Sequence, residues 1–324
     1  MSTPDISIVV CTRNRAAMLR GALATLYDLE TNEHFTYEIV VIDNGSTDDT
    51  PEVVEAAAAE SRWPLWYVHE PNKGIVPARN RGIREANGRW IAFFDDDQLA
   101  DRHWLAELHR GAGDKQCHVV GGSVHLKLPE GCTRKPHAAV GMLLGEAKLA
   151  DQPRLYGGRL TPGCGNLMIE RTVFDEVGVF ERTVRGRGED TELFSRIERA
   201  GIAAWYLPAA IVQHLTPAER LTDEYILKLA RGVGEGVALR QAELRGKAGF
   251  ACLWLAKACR FWLVQAPLAA ISRLAGDHET WLGRRALLTI NRSFLKTGHE
   301  ILVPSQTREL PAAPLVPSTK DLSP

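Results

Sequence analysis

Trp90-Ile91-Ala92-Phe93-Phe94-Asp95-Asp96-Asp97-Gln98 reads as an apolar strand that stops abruptly at three carboxylates. A run that is apolar at successive positions suits a strand covered on both faces, as in parallel α/β sheets. Three adjacent carboxylates repel one another unless a cation or solvent relieves them. Hard divalent ions such as Mg²⁺ or Mn²⁺ take oxygen ligands and are commonly shared between carboxylates and substrate phosphates. Alternate residues of an extended segment point the same way, so Asp95 and Asp97 can face one site together. Taken alone, the triplet fits equally well a solvated turn that caps a helix over 101–110.

Working back from the triplet, the chain alternates strand and helix. Ile6-Ser7-Ile8-Val9-Val10 is a first strand, followed by the polar turn Cys11-Thr12-Arg13-Asn14-Arg15. Leu19, Ala22, Leu23 and Leu26 then recur at helical spacing. Glu38-Ile39-Val40-Val41-Ile42 is a second strand ending in Asp43-Asn44-Gly45-Ser46-Thr47-Asp48-Asp49, and Pro51 suits the first turn of the next helix. Leu65-Trp66-Tyr67-Val68 is a third strand; Pro77 opens a helix that Asn87-Gly88 closes. This rhythm predicts a parallel sheet with right-handed crossovers, in which ligands bind beyond the carboxyl ends of the strands. The polar runs 11–15, 43–49 and 95–98 all fall at that edge.

Beyond residue 115 the rhythm fails. Gly121-Gly122, Pro129, Gly131, Pro136, Gly157-Gly158 and Pro162-Gly163 point to short strands and long loops. Regular structure returns with the strand Asn166-Leu167-Met168-Ile169 and a helix over about 190–200 closed by Gly201. Residues 222–300 read as mostly helical. A tail from Pro304, with prolines also at 311, 314, 317 and 324, is expected to be disordered. The expected organisation is therefore a catalytic domain over 1–220, split into a nucleotide-binding half (1–114) and an acceptor-side half (115–220), then a helical extension over 221–303 and the tail 304–324.

Composition excludes several classes. A net charge of -1 is unlike a general nucleic-acid binder, which needs a basic excess to displace counterions. The six cysteines form no C-x-x-C pair, so neither a zinc site nor a disulfide framework is expected, and a reducing cytoplasm fits. The N-terminus reads as a strand rather than a signal peptide. The apolar stretch 250–274 is interrupted by Lys257, Arg260 and Arg273, so no transmembrane helix is predicted. Between Lys247 and Glu300, eight basic residues face three acidic ones beside Trp254, Phe261, Trp262 and Trp281. Such a segment fits either peripheral contact with an anionic membrane or a helical pair packed on the catalytic domain. There is no Gly-x-Ser-x-Gly elbow and no Gly-x-x-x-x-Gly-Lys-Ser/Thr phosphate loop.

Several blocks in order and spacing resemble a bacterial family 2 glycosyltransferase of the GT-A fold, which is α/β with a Rossmann-like nucleotide-binding sheet merged with a smaller acceptor-side subregion. They are Val9 to Arg15, Val41 to Asp48, Glu70-Pro71-Asn72-Lys73-Gly74, Ala78-Arg79-Asn80-Arg81-Gly82, the triplet, Gly163-Cys164-Gly165-Asn166 and Gly188-Glu189-Asp190-Thr191-Glu192-Leu193. The resemblance covers residues 6 to about 216. It implies an inverting, metal-dependent, hexosyltransferase-like enzyme that moves a sugar from a nucleoside-diphosphate sugar, UDP favoured, to a hydroxyl of a glycan or lipid-linked acceptor. Cell-envelope or extracellular polysaccharide synthesis at the inner face of the membrane would follow.

Carried onto this chain, the resemblance places Thr12, Arg13 and Asp43 beside the base and ribose, and Arg79 near the base or diphosphate. Asp95 and Asp97 form the D-x-D pair, the first nearer the ribose and the second on an Mg²⁺ or Mn²⁺ ion. Asp96 joins the donor-binding set as a helper or a bystander, and Gln98 replaces an aspartate often found next. Asp190 would be the catalytic base, with Asn166 and Glu189 on the acceptor and sugar side, where Glu189 either orients the acceptor or holds a neighbouring group. A basic loop, Arg185-Gly186-Arg187-Gly188, suits a mobile lid. His214, after Ala209-Ala210-Ile211-Val212-Gln213, either completes the metal site or is structural. Two rival readings are a sugar-phosphate nucleotidyltransferase, which would carry a glycine-rich Arg-Lys loop where Cys11 to Arg15 stands, and a non-catalytic sugar- or lipid-binding scaffold.

Overall fold

A computed structural model describes residues 3–157, 160–181, 188–265 and 277–303. The expected lid residues 185–187 and the tail 304–324 lie outside the described residues. The chain divides into two compact units, Met1–Ile226 and Leu227–Pro324.

The first unit is built on one sheet whose neighbouring strands are, in order, Leu65–His69, Tyr37–Asp43, Ile6–Thr12, Trp90–Asp95, Asn166–Glu170, Val119–Lys127, Ala204–Leu215 and Gln98–Ala100, with Arg154–Leu155 paired to Ala204–Leu215. Its parallel part contains β1 (Ile6–Thr12), β2 (Tyr37–Asp43), β3 (Leu65–His69) and β4 (Trp90–Asp95). These follow the β-branched and aromatic runs of the sequence, because such side chains pack well on a pleated surface. Three crossover helices join them: α1 (Ala16–Leu26), α2 (Thr50–Glu60) and α3 (Ile75–Glu85). Pro51 lies in the first turn of α2 as expected, whereas α3 starts two residues before Pro77.

Successive residues of β1 serve opposite cores, which explains why the strand is apolar throughout. Ile6, Ile8 and Val10 pack with Leu19 and Leu23 of α1, Val53 of α2, and Leu105 and Leu108 of α4 (Trp104–Lys115). Val9 packs on the other face with Ile83 of α3, together with Phe174 of α6 (Arg171–Val177) and Leu193 of α7 (Glu189–Arg199). Each such fully buried aliphatic side chain contributes about 1.5–3 kcal/mol.

The antiparallel part runs through β8 (Asn166–Glu170), β6 (Val119–Lys127), β9 (Ala204–Leu215) and the short strands β5 (Gln98–Ala100) and β7 (Arg154–Leu155). Only β6 and β9 run parallel within it. A six-residue helix, α5 (Ala138–Leu143), lies between β6 and β7. Of the glycines and prolines read as short strands and long loops, the pair Gly121-Gly122 sits inside a strand, β6. A Cβ on Gly122 would lie 2.1 Å from the carbonyl oxygen of Ala210 and 2.4 Å from the Asn166 amide. The pair therefore marks close backbone approach rather than a turn.

In the second unit, α8 (Asp223–Arg260), which begins in the first unit, bends at Gly246 (φ 63°). The last helix among the described residues, α9, spans His278–Leu302. The two helices pack through Phe250 against Phe294, and the Trp254 indole donates to the Leu295 carbonyl at 2.8 Å. Trp254 and Phe261 are thus turned inward, while Trp262 is exposed. Among the described residues no helix is long and apolar enough to cross a membrane.

Candidate active site

The carboxyl ends of β1, β2 and β4 stand level, because register pairs Thr12 with Asp43 and Cys11 with Asp95. This places the three polar runs side by side. Asp43 is buried; it accepts from the Ser46 backbone N–H at 2.8 Å and from the Tyr67 hydroxyl at 2.6 Å. Burial and the bond to Asp43 push the Tyr67 phenol up to about 12. Arg13 is exposed beside this edge.

The members of the triplet have different partners. Asp95 opens onto a cavity but lies deep, and burial drives its carboxyl up to about 6; Arg79 opposes that rise, while Asp97 and Asp96 add to it. Asp96 turns back under the first strand, accepting from the Thr12 hydroxyl at 2.7 Å and from Arg15 at 2.8 Å. Its role in the fold is to tie the β1 turn to the end of β4. Asp97 receives Arg15 and Arg220, each at 3.3 Å, on Oδ2, and stands 3.3 Å from His214 Nε2 through Oδ1. Burial alone would raise the Asp97 carboxyl, but His214, Arg15 and Arg220 outweigh it and hold it below the usual carboxylate range. Burial likewise disfavours the His214 cation, and Asp97 reverses that, so the imidazole is pushed up.

A cavity of about 220 Å³ brings Arg79, Asp95, Gln98, Cys164, Asn166, Asp190 and His214 onto one wall system. Asp190 stands in the first turn of α7, where helix polarity favours a carboxylate, and it accepts from the Thr191 N–H at 2.7 Å. Its neighbour Glu189 points elsewhere: it accepts from Arg79 of α3 at 2.5 Å, and both side chains are about 10% exposed. Asn166 lines the cavity with its amide already committed. It accepts from the Trp104 indole and donates to the carbonyls of Ser123 and Ala210, linking β8 to β6 and β9. Burial pushes the Cys11 thiol up to about 12, leaving it neutral rather than a nucleophile.

Two buried polar atoms on this cavity's residues, Gln98 Oε1 and His214 Nδ1, have no hydrogen-bond partner among the described residues. Among the same residues no three His, Cys, Asp or Glu side chains converge as a metal cage. Asp97 and His214, 3.3 Å apart, are the carboxylate and imidazole here that could hold a divalent ion. That pair fits an ion whose other ligands come from bound phosphates or water.

Arg15, Tyr67 and Arg220 are site residues that the sequence reading did not single out. Arg15 lies in the quoted β1 turn, yet its reach to the triplet is a tertiary fact. Arg220 belongs to no motif at all. It sits on a single 3₁₀ turn, Ala218–Leu221, just beyond β9.

A parallel nucleotide-type half-sheet continued by antiparallel strands, with an acidic triplet at the junction, defines a glycosyltransferase of the GT-A type. The sequence profile of Glycosyl transferase family 2 matches residues 7–178, over half of the chain, and the chain belongs to that family. It is 27% identical over 230 residues to the succinoglycan biosynthesis protein ExoM of Rhizobium meliloti, covering 70% of this chain and 72% of that protein. It is 31% identical over 228 residues to a validoxylamine A glucosyltransferase of Streptomyces hygroscopicus subsp. jinggangensis, covering 61% and 52% of the respective chains. The putative glycosyltransferase EpsH of Bacillus subtilis is 32% identical over 121 residues, 37% of this chain and only 34% of that protein. Among solved structures, a mannosyltransferase from Pyrobaculum calidifontis in complex with GDP-Man and Mn²⁺ shares the fold. Its TM-score is 0.60 at 20% identity, over 93% of this chain and 88% of that one.

Proposed function

We propose that the protein is an inverting glycosyltransferase that moves a sugar from a nucleoside-diphosphate sugar to an acceptor hydroxyl. The observation that carries this reading is the convergence of Thr12, Asp43 and the triplet at one strand edge, with Asp190 and His214 on the cavity beside them. The nucleoside would lie along Thr12, Arg13 and Asp43. The sugar would enter the cavity, whose volume of about 220 Å³ is too small for a whole sugar nucleotide. Asp190 accepts the proton of the attacking hydroxyl. A single in-line attack from that side inverts the anomeric centre.

A divalent cation held by Asp97 and His214 would supply neutralisation of the charge left on the departing diphosphate. The Mn²⁺ in the Pyrobaculum mannosyltransferase complex supports such an ion here. UDP-, GDP- and dTDP-sugars all suit the reading, with UDP-sugars favoured. Likeness to a succinoglycan biosynthesis protein supports a glycan acceptor in polysaccharide biosynthesis.

The test is release of nucleoside diphosphate from a panel of sugar nucleotides, with and without Mn²⁺. No metal-dependent release from any donor would overturn the reading. Asp190→Asn is expected to abolish transfer and leave donor binding within about twofold, since one oxygen is retained and only basicity is lost. Asp97→Ala is expected to remove Mn²⁺-dependent binding of the diphosphate; an unchanged calorimetric titration would refute its assignment.

A further inference from the structure

Asp97 is approached by more positive charge than one carboxylate needs. Arg15 is divided between Asp96 at 2.8 Å and Asp97 at 3.3 Å, so it is a strut within the triplet. Arg79 is spoken for by Glu189. Arg220 differs from both. Its ion pair among the described residues is a single Nη1 contact to Asp97 Oδ2 at 3.3 Å, longer than the usual charge-assisted bond. A guanidinium carries five N–H donors in a planar fork matched to carboxylate and phosphate geometry. One long contact leaves most of that fork unused, on a side chain that is 22% exposed.

The backbone that carries Arg220 is well fixed. The Leu215 N–H donates to the Asp97 carbonyl at 2.8 Å, and the Thr216 N–H donates to the Lys127 carbonyl at 3.0 Å. The Arg220 N–H closes the 3₁₀ turn onto Pro217, and the Leu221 carbonyl accepts from Arg134. A rigid turn thus holds a loosely engaged cation at the residue proposed to bind the metal.

We propose that Arg220 is an exchangeable clamp. It pairs with Asp97 in the metal-free protein and turns its fork onto the donor's diphosphate when a divalent cation takes Asp97. This inference rests on the proposed sugar-nucleotide function and adds to it a phosphate-binding residue. Electrostatics supports the exchange. Two more positive charges at Asp97 and His214 would repel a guanidinium at 3.3 Å, while the arriving diphosphate attracts it. Metal and diphosphate would then bind cooperatively, because each removes what opposes the other.

The test compares the full-length protein with Arg220→Met and Arg220→Lys. Mn²⁺ is titrated alone by electron paramagnetic resonance. UDP, GDP and dTDP, and their nucleosides, are then titrated by calorimetry with Mn²⁺ present. Arg220→Met is expected to bind Mn²⁺ alone about three- to tenfold more tightly, because a competing cation is gone. It should bind the preferred diphosphate about ten- to a hundredfold more weakly, and the matching nucleoside equally well. Arg220→Lys, which keeps the charge, should return Mn²⁺ affinity to the wild-type value and recover part of the diphosphate affinity, and it serves as the measured variant if Arg220→Met does not fold.

A parallel loss of Mn²⁺, diphosphate and nucleoside binding would show that Arg220 only braces Asp97, and the proposal would fall. Unchanged titrations in both variants would sink it equally. Wild-type protein that binds none of the diphosphates with Mn²⁺ would remove the sugar-nucleotide reading as well, which separates the two failures.

Discussion

The Arg79–Glu189 pair joins α3 to the start of α7, and removing its carboxylate tests what holds the Asp190 region in place. Both side chains are about 10% exposed and meet at 2.5 Å, so Glu189→Leu leaves a buried guanidinium without its nearest counter-charge. Breaking a buried pair from one side costs about 3–5 kcal/mol. Arg79 also feels the Asp95 carboxylate, which retains part of the compensation, so the low end, about 3 kcal/mol, is expected here. Urea unfolding followed by tryptophan fluorescence reports on it, since Trp63, Trp66, Trp90, Trp104 and Trp205 all lie in the first unit. The double variant Arg79→Met with Glu189→Leu should recover most of the loss, because no charge is then stranded. A single-variant cost below about 1 kcal/mol, the range of exposed pairs, or a double variant no better than the single, would refute the account of a buried strut.

Two further predictions come from the sheet. Gly165→Ala would set a Cβ 2.3 Å from Asp95 Oδ2 and 2.5 Å from Gln98 Nε2, so it should cut donor turnover at least tenfold while the thermal midpoint falls by only a few degrees (about 1–2 kcal/mol); unchanged turnover would count against Asp95 as a site residue. Glu170 is buried, which by itself would raise its carboxyl, yet bonds from His118 and Arg89 outweigh burial and hold it below its ordinary value of 4.5. A depressed folded value means stability that is present above pH 4.5 and lost as pH falls through the folded value. The stability difference between wild type and Glu170→Gln should therefore shrink on acidification, and a difference that grows would overturn the assignment.

How much of this was legible in the sequence depends on whether a feature is local. β1, β2 and β4 could be read because burial on both faces demands unbroken apolar runs, and the register that levels Thr12, Asp43 and Asp95 follows from parallel pairing of those runs. Glu70 to Gly82, the triplet and Gly188 to Leu193 pointed to the family because their chemistry lies in short stretches. Gly121-Gly122 fits a short strand or a loop equally well in the sequence, and only the Ala210 carbonyl pressing on Gly122 decides for the strand. The rest of the site is made by distance rather than by motif. Glu189 stands beside Asp190 in the sequence, but only the fold shows that it accepts from Arg79, 110 positions earlier in the chain.

The same distinction bears on what Asp96 does. Its position inside a triplet invites a share of the metal or nucleotide site, but its two oxygens are taken by Thr12 and Arg15, and it is buried. Those two bonds lock the Cys11-to-Arg15 turn against β4, and the side chain does not line the cavity onto which Asp95 opens. That lock has a consequence for the neighbours. By occupying Arg15 it leaves Arg220 as the loosely held guanidinium at Asp97, and it takes the Thr12 hydroxyl proton, so that oxygen is left to accept rather than donate. On the proposed reading, Thr12 would then meet a nucleoside through its hydroxyl oxygen as an acceptor, beside Asp43 and Arg13.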